Sequence, residues 1–167
     1  MKKGFTMIEL IFVIVILGIL ASVAIPRLAA TREDAEISAA VANLRTLLSD
    51  VSSYYAAKGN LTGAKWIEIT NLPLKKGGGG YPVNAENTVT KQPVFLKVGN
   101  VNDCIGVNMV DKRDNTPAYI EFIKKSTNGV CKQFLDSEPL KAYFDSRVNG
   151  AGNKSAMAIG SNISIYD

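Results

Sequence analysis

The sequence predicts an α+β protein in which one long N-terminal helix packs on a small antiparallel β-sheet. Three observations lead to this prediction. The apolar run from Leu10 to Ile25 is long enough for a helix and several times longer than an ordinary strand. A stripe of apolar residues with helical spacing follows, from Ile37 to Tyr55. From Val94 onward, short β-favouring runs alternate with turn residues.

The apolar N-terminal segment is long enough to cross a membrane. A helix over residues 5–25 reaches about 31 Å, close to the roughly 30 Å of a hydrocarbon core. Glu9 is the one acid within this segment. A carboxylate inside a membrane costs on the order of 3 kcal/mol. We therefore expect Glu9 to have a partner, the alternative being a position in the hydrated surface layer of the membrane.

The order of the basic leader, Gly4 and the apolar region predicts where the precursor is cleaved. A conventional secretory signal is cleaved after its apolar region, whereas here Gly4 stands between two lysines and the apolar region. Cleavage between Gly4 and Phe5 keeps the helix and exposes an α-amino group on Phe5, which can pair with Glu9 of the same or a neighbouring subunit. The alternative is an ordinary signal peptidase cutting after Ala24, which would release a soluble extracytoplasmic binding domain.

The N-terminal motif has four parts at fixed offsets: Lys2-Lys3-Gly4, Phe5-Thr6-Met7-Ile8-Glu9-Leu10, Ile16-Leu17-Gly18-Ile19-Leu20-Ala21 and Ala24-Ile25-Pro26. This combination resembles the class III leader and N-terminal helix of the type IV pilin superfamily. That superfamily contains type IV pilins and the pseudopilins of type II secretion and DNA-uptake machines. The resemblance implies that Gly4 ends the leader, that Phe5 is the first mature and N-methylated residue, and that Glu9 acts in subunit assembly.

The resemblance also implies a function and a location. The chain is expected to be a non-enzymatic structural subunit, a homo-oligomer in a helical filament that is either a type IV pilus or a secretion or DNA-uptake pseudopilus. The precursor is expected to span the bacterial inner membrane once, with its globular head in the periplasm. Expected partners are a prepilin peptidase/methyltransferase, an assembly ATPase with its platform protein, and minor pilins. The expected divisions are a leader (1–4), an assembly half of the helix (5–26), an amphipathic half (27–59) and a head (60–167).

The long helix is predicted to run from Phe5 to Lys58 and to end at Gly59-Asn60. Gly18 and Pro26 bracket the stretch where helical hydrogen bonding is weakest. Resemblance to pilins implies that this stretch loses helical order in a filament, whereas the residues alone equally allow a simple kink at Pro26. The apolar stripe beyond it consists of Ile37, Val41, Leu44, Leu47, Leu48, Val51, Tyr54 and Tyr55.

The head is predicted to combine a short helix with a sheet of three or four strands. The helix lies within Ala64–Asn71 and carries Trp66 and Ile69 inward, and Lys75–Gly80 forms a flexible connector. The predicted strands are Val94–Val98, Cys104–Val110, Ala118–Lys124 and Val130–Leu135, with a hairpin turn at Asn128-Gly129, a helical turn at Leu140–Phe144 and a final strand at Ile163–Tyr166.

The composition argues against catalysis and predicts one cross-link. The chain has no histidine, which removes Ser/His/Asp and Cys/His arrangements. Cys104 and Cys131 are its two cysteines, and in an oxidising compartment we expect them to form a disulfide, the alternative being two buried thiols.

Two further patterns concern ligands. Asp136, Glu138 and Asp145 offer oxygen ligands for calcium, but they lack the spacing of an EF-hand. The alternative is that they are solvated acids in loops, and no metal or other cofactor is assigned.

A DNA-binding patch requires a group of basic residues to share one face, the alternative being scattered surface charge. These residues are Lys75, Lys76, Lys91, Lys97, Lys112 and Arg113.

Overall fold

The computed structural model describes residues 4–77, 88–90, 92–113, 115–125, 129–146, 148 and 154–160. The chain divides into two compact units, Met1–Ala35 and Glu36–Asp167. The helices are α1 (Met7–Lys58), α2 (Trp66–Ile69), α3 (Val130–Leu135) and α4 (Glu138–Asp145). The strands are β1 (Lys75–Lys76), β2 (Val94–Val98), β3 (Val101–Val110), β4 (Tyr119–Lys124) and β5 (Ala156–Ala158).

Helix α1 confirms the prediction of one long N-terminal helix, beginning at Met7 rather than at Phe5. It ends where Gly59 adopts a φ of 72°, a left-handed conformation that costs glycine little. The Gly59 amide donates to the carbonyl of Tyr55 at 2.7 Å and so satisfies one of the last helical carbonyls. The predicted stop signal at Gly59 is therefore the observed one.

Helix α1 continues through Gly18 and Pro26. Pro26 has no amide hydrogen, so the carbonyl of Ser22 loses its helical donor. In the same turn the Ser22 hydroxyl donates to the carbonyl of Ile19 at 2.7 Å. The predicted loss of helical order concerns the packed filament, a different state, and it stays a prediction.

The sheet is antiparallel, as predicted, but has five strands rather than three or four, in the order β1-β2-β3-β4-β5. Strand β2 has the predicted bounds, β3 begins earlier than predicted, at Val101, and β4 begins at Tyr119. Together with α1 these strands confirm the predicted α+β class.

The predicted strand Val130–Leu135 is wrong, because this segment is helix α3. Its β-favouring composition was misleading, whereas its buried residues Cys131, Phe134 and Leu135 have the spacing of a helix face. The hairpin prediction fails with it. Gly129 is the N-cap of α3 with a φ of 55°, and Asn128 lies outside the described residues.

Three other parts of the head differ from expectation. Lys75 and Lys76 belong to strand β1, paired with Phe95 and Val94, and not to a flexible connector, whose Gly78–Gly80 lies outside the described residues. Strand β5 was not predicted, since it lies in a segment rich in Gly and Asn. Helix α4 is longer than the single turn expected. The predicted strand Ile163–Tyr166 also lies outside the described residues.

The main core confirms the apolar stripe of α1. Ala40, which was not predicted, joins Leu44, Leu47, Leu48 and Val51 as a buried residue of α1, and the other stripe residues are partly buried. The core partners from the rest of the head include Trp66, Ile69, Val94, Leu96, Ile105, Val107, Ile120, Phe122, Phe134 and Leu140. A smaller cluster of Tyr119, Val148 and Ala156 forms separately from this core.

Cys104 and Cys131 form the predicted disulfide, with Cα atoms 5.6 Å apart. Because Cys131 lies on α3, the bond joins strand β3 to a helix and not to a neighbouring hairpin strand. Both residues are fully buried, so the bond is part of the main core.

Candidate functional site

The N-terminal unit carries a continuous apolar surface. Every large apolar side chain from Phe5 to Leu28 is exposed, from 40% for Ile16 to 87% for Phe5. Soluble monomers rarely expose apolar patches of more than a few hundred Å². Within the described residues, α1 is the one helix long and apolar enough to cross a membrane, judged by length and composition. This surface therefore requires lipid or protein to cover it.

Glu9 lies at the N-terminus of α1 and is held there by Thr6. The Thr6 amide donates to Glu9 Oε2 at 2.8 Å, and the Thr6 hydroxyl donates to the same oxygen at 2.7 Å. In return the Glu9 amide donates to Thr6 Oγ1 at 3.3 Å. These reciprocal bonds form a capping box, which satisfies amide groups that have no partner within the helix.

The capping box changes the interpretation of Glu9. In the single chain its carboxylate has a local partner, and Oε2 accepts both of the hydrogen bonds given to Glu9 among the described residues. Oε1 accepts neither of them, and the residue is exposed. The sequence analysis missed Thr6, although the spacing Thr6-x-x-Glu9 before an apolar run is the signature of a capping box.

The predicted cleavage point lies just before this cap. Gly4, Phe5 and Thr6 have no regular secondary structure, and all three are exposed. Exposed, non-helical backbone is where proteases act most readily, because the substrate does not first have to unfold.

Gly18 and Pro26 lie farther along the same helix, and an added Cβ at Gly18 would meet nothing within 4 Å.

The acids considered for calcium do not form one cluster. Asp136 caps the end of α3, Glu138 begins α4 and Asp145 ends it. Glu138 pairs with Lys141, and the hydrogen bond and charge of Glu138 raise the pKa of Lys141. No group of three or more His, Cys, Asp or Glu residues suited to a metal occurs in the described part of the chain.

The basic residues considered for DNA fall into two groups: Lys75 and Lys76 on β1 lie beside β2, which carries Lys97, whereas Lys112 and Arg113 lie elsewhere. Lys97 is near the β2–β3 turn, whereas Lys112 and Arg113 follow the opposite end of β3. Lys112 and Arg113 line a cleft of ≈440 Å³ together with Asp111 and Glu121, so acids accompany them there. Lys91 lies outside the described residues.

A buried acid holds the C-terminal part of the head in place. Glu121 on β4 is 9% exposed. It accepts a hydrogen bond from Asn108 at 3.3 Å and pairs with Lys154 at 2.8 Å. The hydrogen bond and charge of Glu121 raise the pKa of Lys154. Lys154 stands shortly before β5, so this pair fixes the last described segment against the sheet.

A second acid holds the loop after α1. Asp111 Oδ2 accepts from the Leu61 amide at 3.0 Å and from the Thr62 hydroxyl at 2.6 Å. Partial burial acts to raise the pKa of Asp111, but these bonds and those from the Lys112 and Thr62 amides outweigh it and lower the pKa below its ordinary value. The sequence analysis missed both acids, because their partners are distant in sequence.

Comparison with known proteins places these features in a family. The model of the prokaryotic N-terminal methylation motif matches residues 1–25. The type IV major pilin protein PilE1 of Neisseria gonorrhoeae is 41% identical over 152 residues, which cover 91% of this chain and 79% of that protein. The type IV major pilin protein PilA of Myxococcus xanthus is 35% identical over 84 residues, covering 50% of this chain and 38% of that protein.

A secretion protein matches over a shorter region. The type II secretion system core protein G of Dickeya chrysanthemi is 42% identical over 53 residues, which cover 32% of this chain and 35% of that protein. No solved structure matches the chain significantly. The methylation motif, the exposed apolar helix and the similarity to PilE1 across most of both chains lead to one assignment. The chain belongs to the type IV pilin superfamily.

Proposed function

We propose that this protein is a structural subunit of a type IV filament, made as a membrane-inserted precursor and polymerised through its N-terminal helix. The observation that carries the proposal is the uncovered apolar surface from Phe5 to Leu28, with the carboxylate of Glu9 at its start. Lipid covers this surface in the precursor, and other subunits cover it in the filament. The chain itself then performs no catalysis, in keeping with its lack of histidine.

Processing removes residues 1–4 and methylates Phe5. The exposed, non-helical backbone at Gly4 and Phe5 supports cleavage at this bond by a prepilin peptidase. The cut creates an α-amino group with an ordinary pKa near 8. A new positive charge therefore appears within a few residues of Glu9.

Assembly exchanges lipid contacts for contacts between helices. The Phe5 amine of one subunit binds the Glu9 carboxylate of the next, and Oε1 of Glu9 accepts this bond while Oε2 stays with Thr6. The pair removes the cost of a lone carboxylate in an apolar environment. An assembly ATPase, its platform protein and minor pilins drive and initiate the process.

Among type IV filaments, we favour a pilus over a secretion pseudopilus. The similarity to a pilin covers 91% of the chain and therefore most of the head, whereas the similarity to a secretion protein covers 32%. The head is then periplasmic in the precursor and lies on the filament surface after assembly.

The N-terminal residue of the protein recovered from cells tests the processing step. Intact mass and N-terminal sequencing are expected to give a chain that begins at methylated Phe5. A chain that begins at Ile25 would instead mean an ordinary signal peptide cut after Ala24, and the filament proposal would fall.

Three variants at two acids test the assembly step. Glu9→Ala and Glu9→Gln are both expected to insert into the membrane but to yield few filaments. Glu9→Gln is the sharper variant, since an amide oxygen still accepts the hydrogen bonds from Thr6 while the charge is lost. Glu33→Ala is the matched control, because Glu33 is an exposed acid on the same helix. A normal filament yield from Glu9→Gln would contradict the proposed ion pair.

A further inference from the structure

We propose that Arg27 of one subunit pairs with Asp34 of the next, forming a second axial contact between helices beside the one at Glu9. This inference rests on the proposed filament function. Arg27 and Asp34 lie in α1, within the N-terminal unit, and both are exposed. Neither makes an ion pair within the described residues.

The spacing of charges leaves both residues without a partner on their own helix. Pairs within a helix form between residues three or four apart. For Arg27 the residues at these distances toward the C-terminus are Ala30 and Thr31, and the same two stand N-terminal to Asp34. Ile37 and Ser38 follow Asp34 at these distances. Both charges therefore have no partner at helical spacing and are available to pair with another molecule.

The seven-residue separation is compatible with the axial step that the Glu9 contact requires. Along a helix, Arg27 and Asp34 are about 10.5 Å apart, and they lie within about 20° of each other around its axis. The Phe5 amine lies beyond the start of α1 at Met7. Two helical residues and two extended residues place this amine about 10 Å from the Glu9 backbone along the axis. The Glu9 carboxylate reaches back to the Thr6 amide, so the shift that the contact requires is a few ångströms shorter. The long, flexible Arg27 side chain covers this difference, so one shift between subunits can make both contacts.

The same step applies to every residue, because identical subunits in a helical filament are related by a single operation. This holds whether or not the stretch from Gly18 to Pro26 keeps its helical order, since both copies change together. Arg27 and Asp34 both follow Pro26, so their own separation depends only on the helix between them.

The apolar surface brings the helices that carry these charges together. Covering every side of residues 5–28 brings the N-terminal helices of neighbouring subunits together around a common axis. Side chains that face this axis from successive subunits converge there. Arg27 and Asp34 share a helix face, so they can converge as a pair of opposite charges, partly shielded from water.

Charge reversal tests the proposed pair. Arg27→Glu and Asp34→Arg are each expected to lower the yield of sheared filaments by roughly tenfold or more, because each places like charges together. The double variant R27E/D34R restores the pair with its polarity reversed and is expected to recover most of the yield. Glu33→Arg is the control, since Glu33 lies about 120° away from Arg27 around the helix. Normal yields from both single variants, or no recovery in the double variant, would overturn the proposal.

A cross-linking measurement separates this proposal from the filament function. Cys104 and Cys131 are already bonded to each other, so an introduced thiol pair is the only one free to react. R27C/D34C filaments are expected to give ladders of linked subunits after oxidation, whereas R27C/E33C filaments are not. Filaments that form but show no ladder would overturn the Arg27–Asp34 pair alone. Normal filaments from Glu9→Gln would instead remove the Glu9 contact on which the shared step depends.

Discussion

Apolar side chains are exposed in the N-terminal part of helix α1 and buried in its C-terminal part. Leu20 in the N-terminal unit is 61% exposed, whereas Leu47 in the second unit is 0% exposed. Both are leucines in one helix, but only Leu47 lies in a segment that the head covers. Covering such a side chain gains about 1.5–3 kcal/mol. In the second unit, this free energy stabilises the fold of the chain itself. In the N-terminal unit, it is gained only when lipid or other subunits cover the side chains.

The strongest test of this difference substitutes one leucine from each end. Leu47→Ala is expected to destabilise the head by about 2–5 kcal/mol, because it leaves a cavity in the main core. Leu20→Ala is expected to leave the unfolding of the head unchanged and to lower filament yield. Denaturant unfolding followed by circular dichroism, together with a filament assay, measures both. Equal losses of head stability would mean that the two ends do not differ in this way.

Removing the disulfide tests what holds the head together. Replacing Cys104 and Cys131 by Ala, which buries no hydroxyl, is expected to cost at least about 3 kcal/mol for a loop of this length, since the bond restricts the unfolded chain. Reductant added to the unmodified protein is expected to lower its free energy of unfolding by about 3 kcal/mol, because it breaks the same cross-link. Filaments of the variant would still form where the head stays folded, because the N-terminal surface is intact. An equal free energy of unfolding with and without reductant would contradict the structural role of this bond.

Close packing on the outer face of the sheet offers a test of intermediate size. Phe95 is 4% exposed and lies against two glycines, so that a Cβ added at Gly106 would be 2.7 Å from its ring. Gly106→Ala is expected to displace this ring and cost about 1–3 kcal/mol. Gly18→Ala is the matched control in the N-terminal unit, where nothing lies within 4 Å. Thermal unfolding of the head is expected to change for the first variant only.

The smallest effect concerns Asp111 and depends on pH. Asp111→Ala is expected to cost about 1–2 kcal/mol, because it leaves the buried Leu61 amide without an acceptor. Asp103→Ala is the control, since its exposed pair with Lys125 contributes little. The pKa of Asp111 is lower in the folded than in the unfolded chain, so its contribution is present above about pH 3.9 and is lost as the pH falls further. Unfolding at pH 7 and pH 3 measures both effects, and an equal cost at the two pH values would contradict this role.

The parts that the sequence predicted correctly have local causes. The apolar run and the stripe from Ile37 to Tyr55 determined α1, because helical periodicity over many turns has few alternatives. Gly59 marked its end through a backbone conformation that glycine adopts easily. Strands β2, β3 and β4 followed from β-branched and aromatic residues between turns.

The parts that the sequence predicted wrongly depend on distant contacts. Val130–Leu135 has a β-favouring composition, yet its buried face and its bond to Cys104 fit a helix. Strand β1 consists of two lysines that no propensity favours, and it forms because β2 offers an unpaired edge. The capping box at Thr6 is different, since the spacing Thr6-x-x-Glu9 is a local signature that depends on no distant contact.

Thiol labelling of the N-terminal helix tests the central claim most directly. Leu20→Cys introduces the one reactive thiol, because the native cysteines are bonded, and Lys58→Cys provides an exposed control at the end of α1. In intact filaments, a water-soluble maleimide is expected to modify position 58 readily and position 20 only after the filaments are dissociated. Equal labelling of both positions in intact filaments would show that the apolar surface stays uncovered, and it would contradict assembly through this helix.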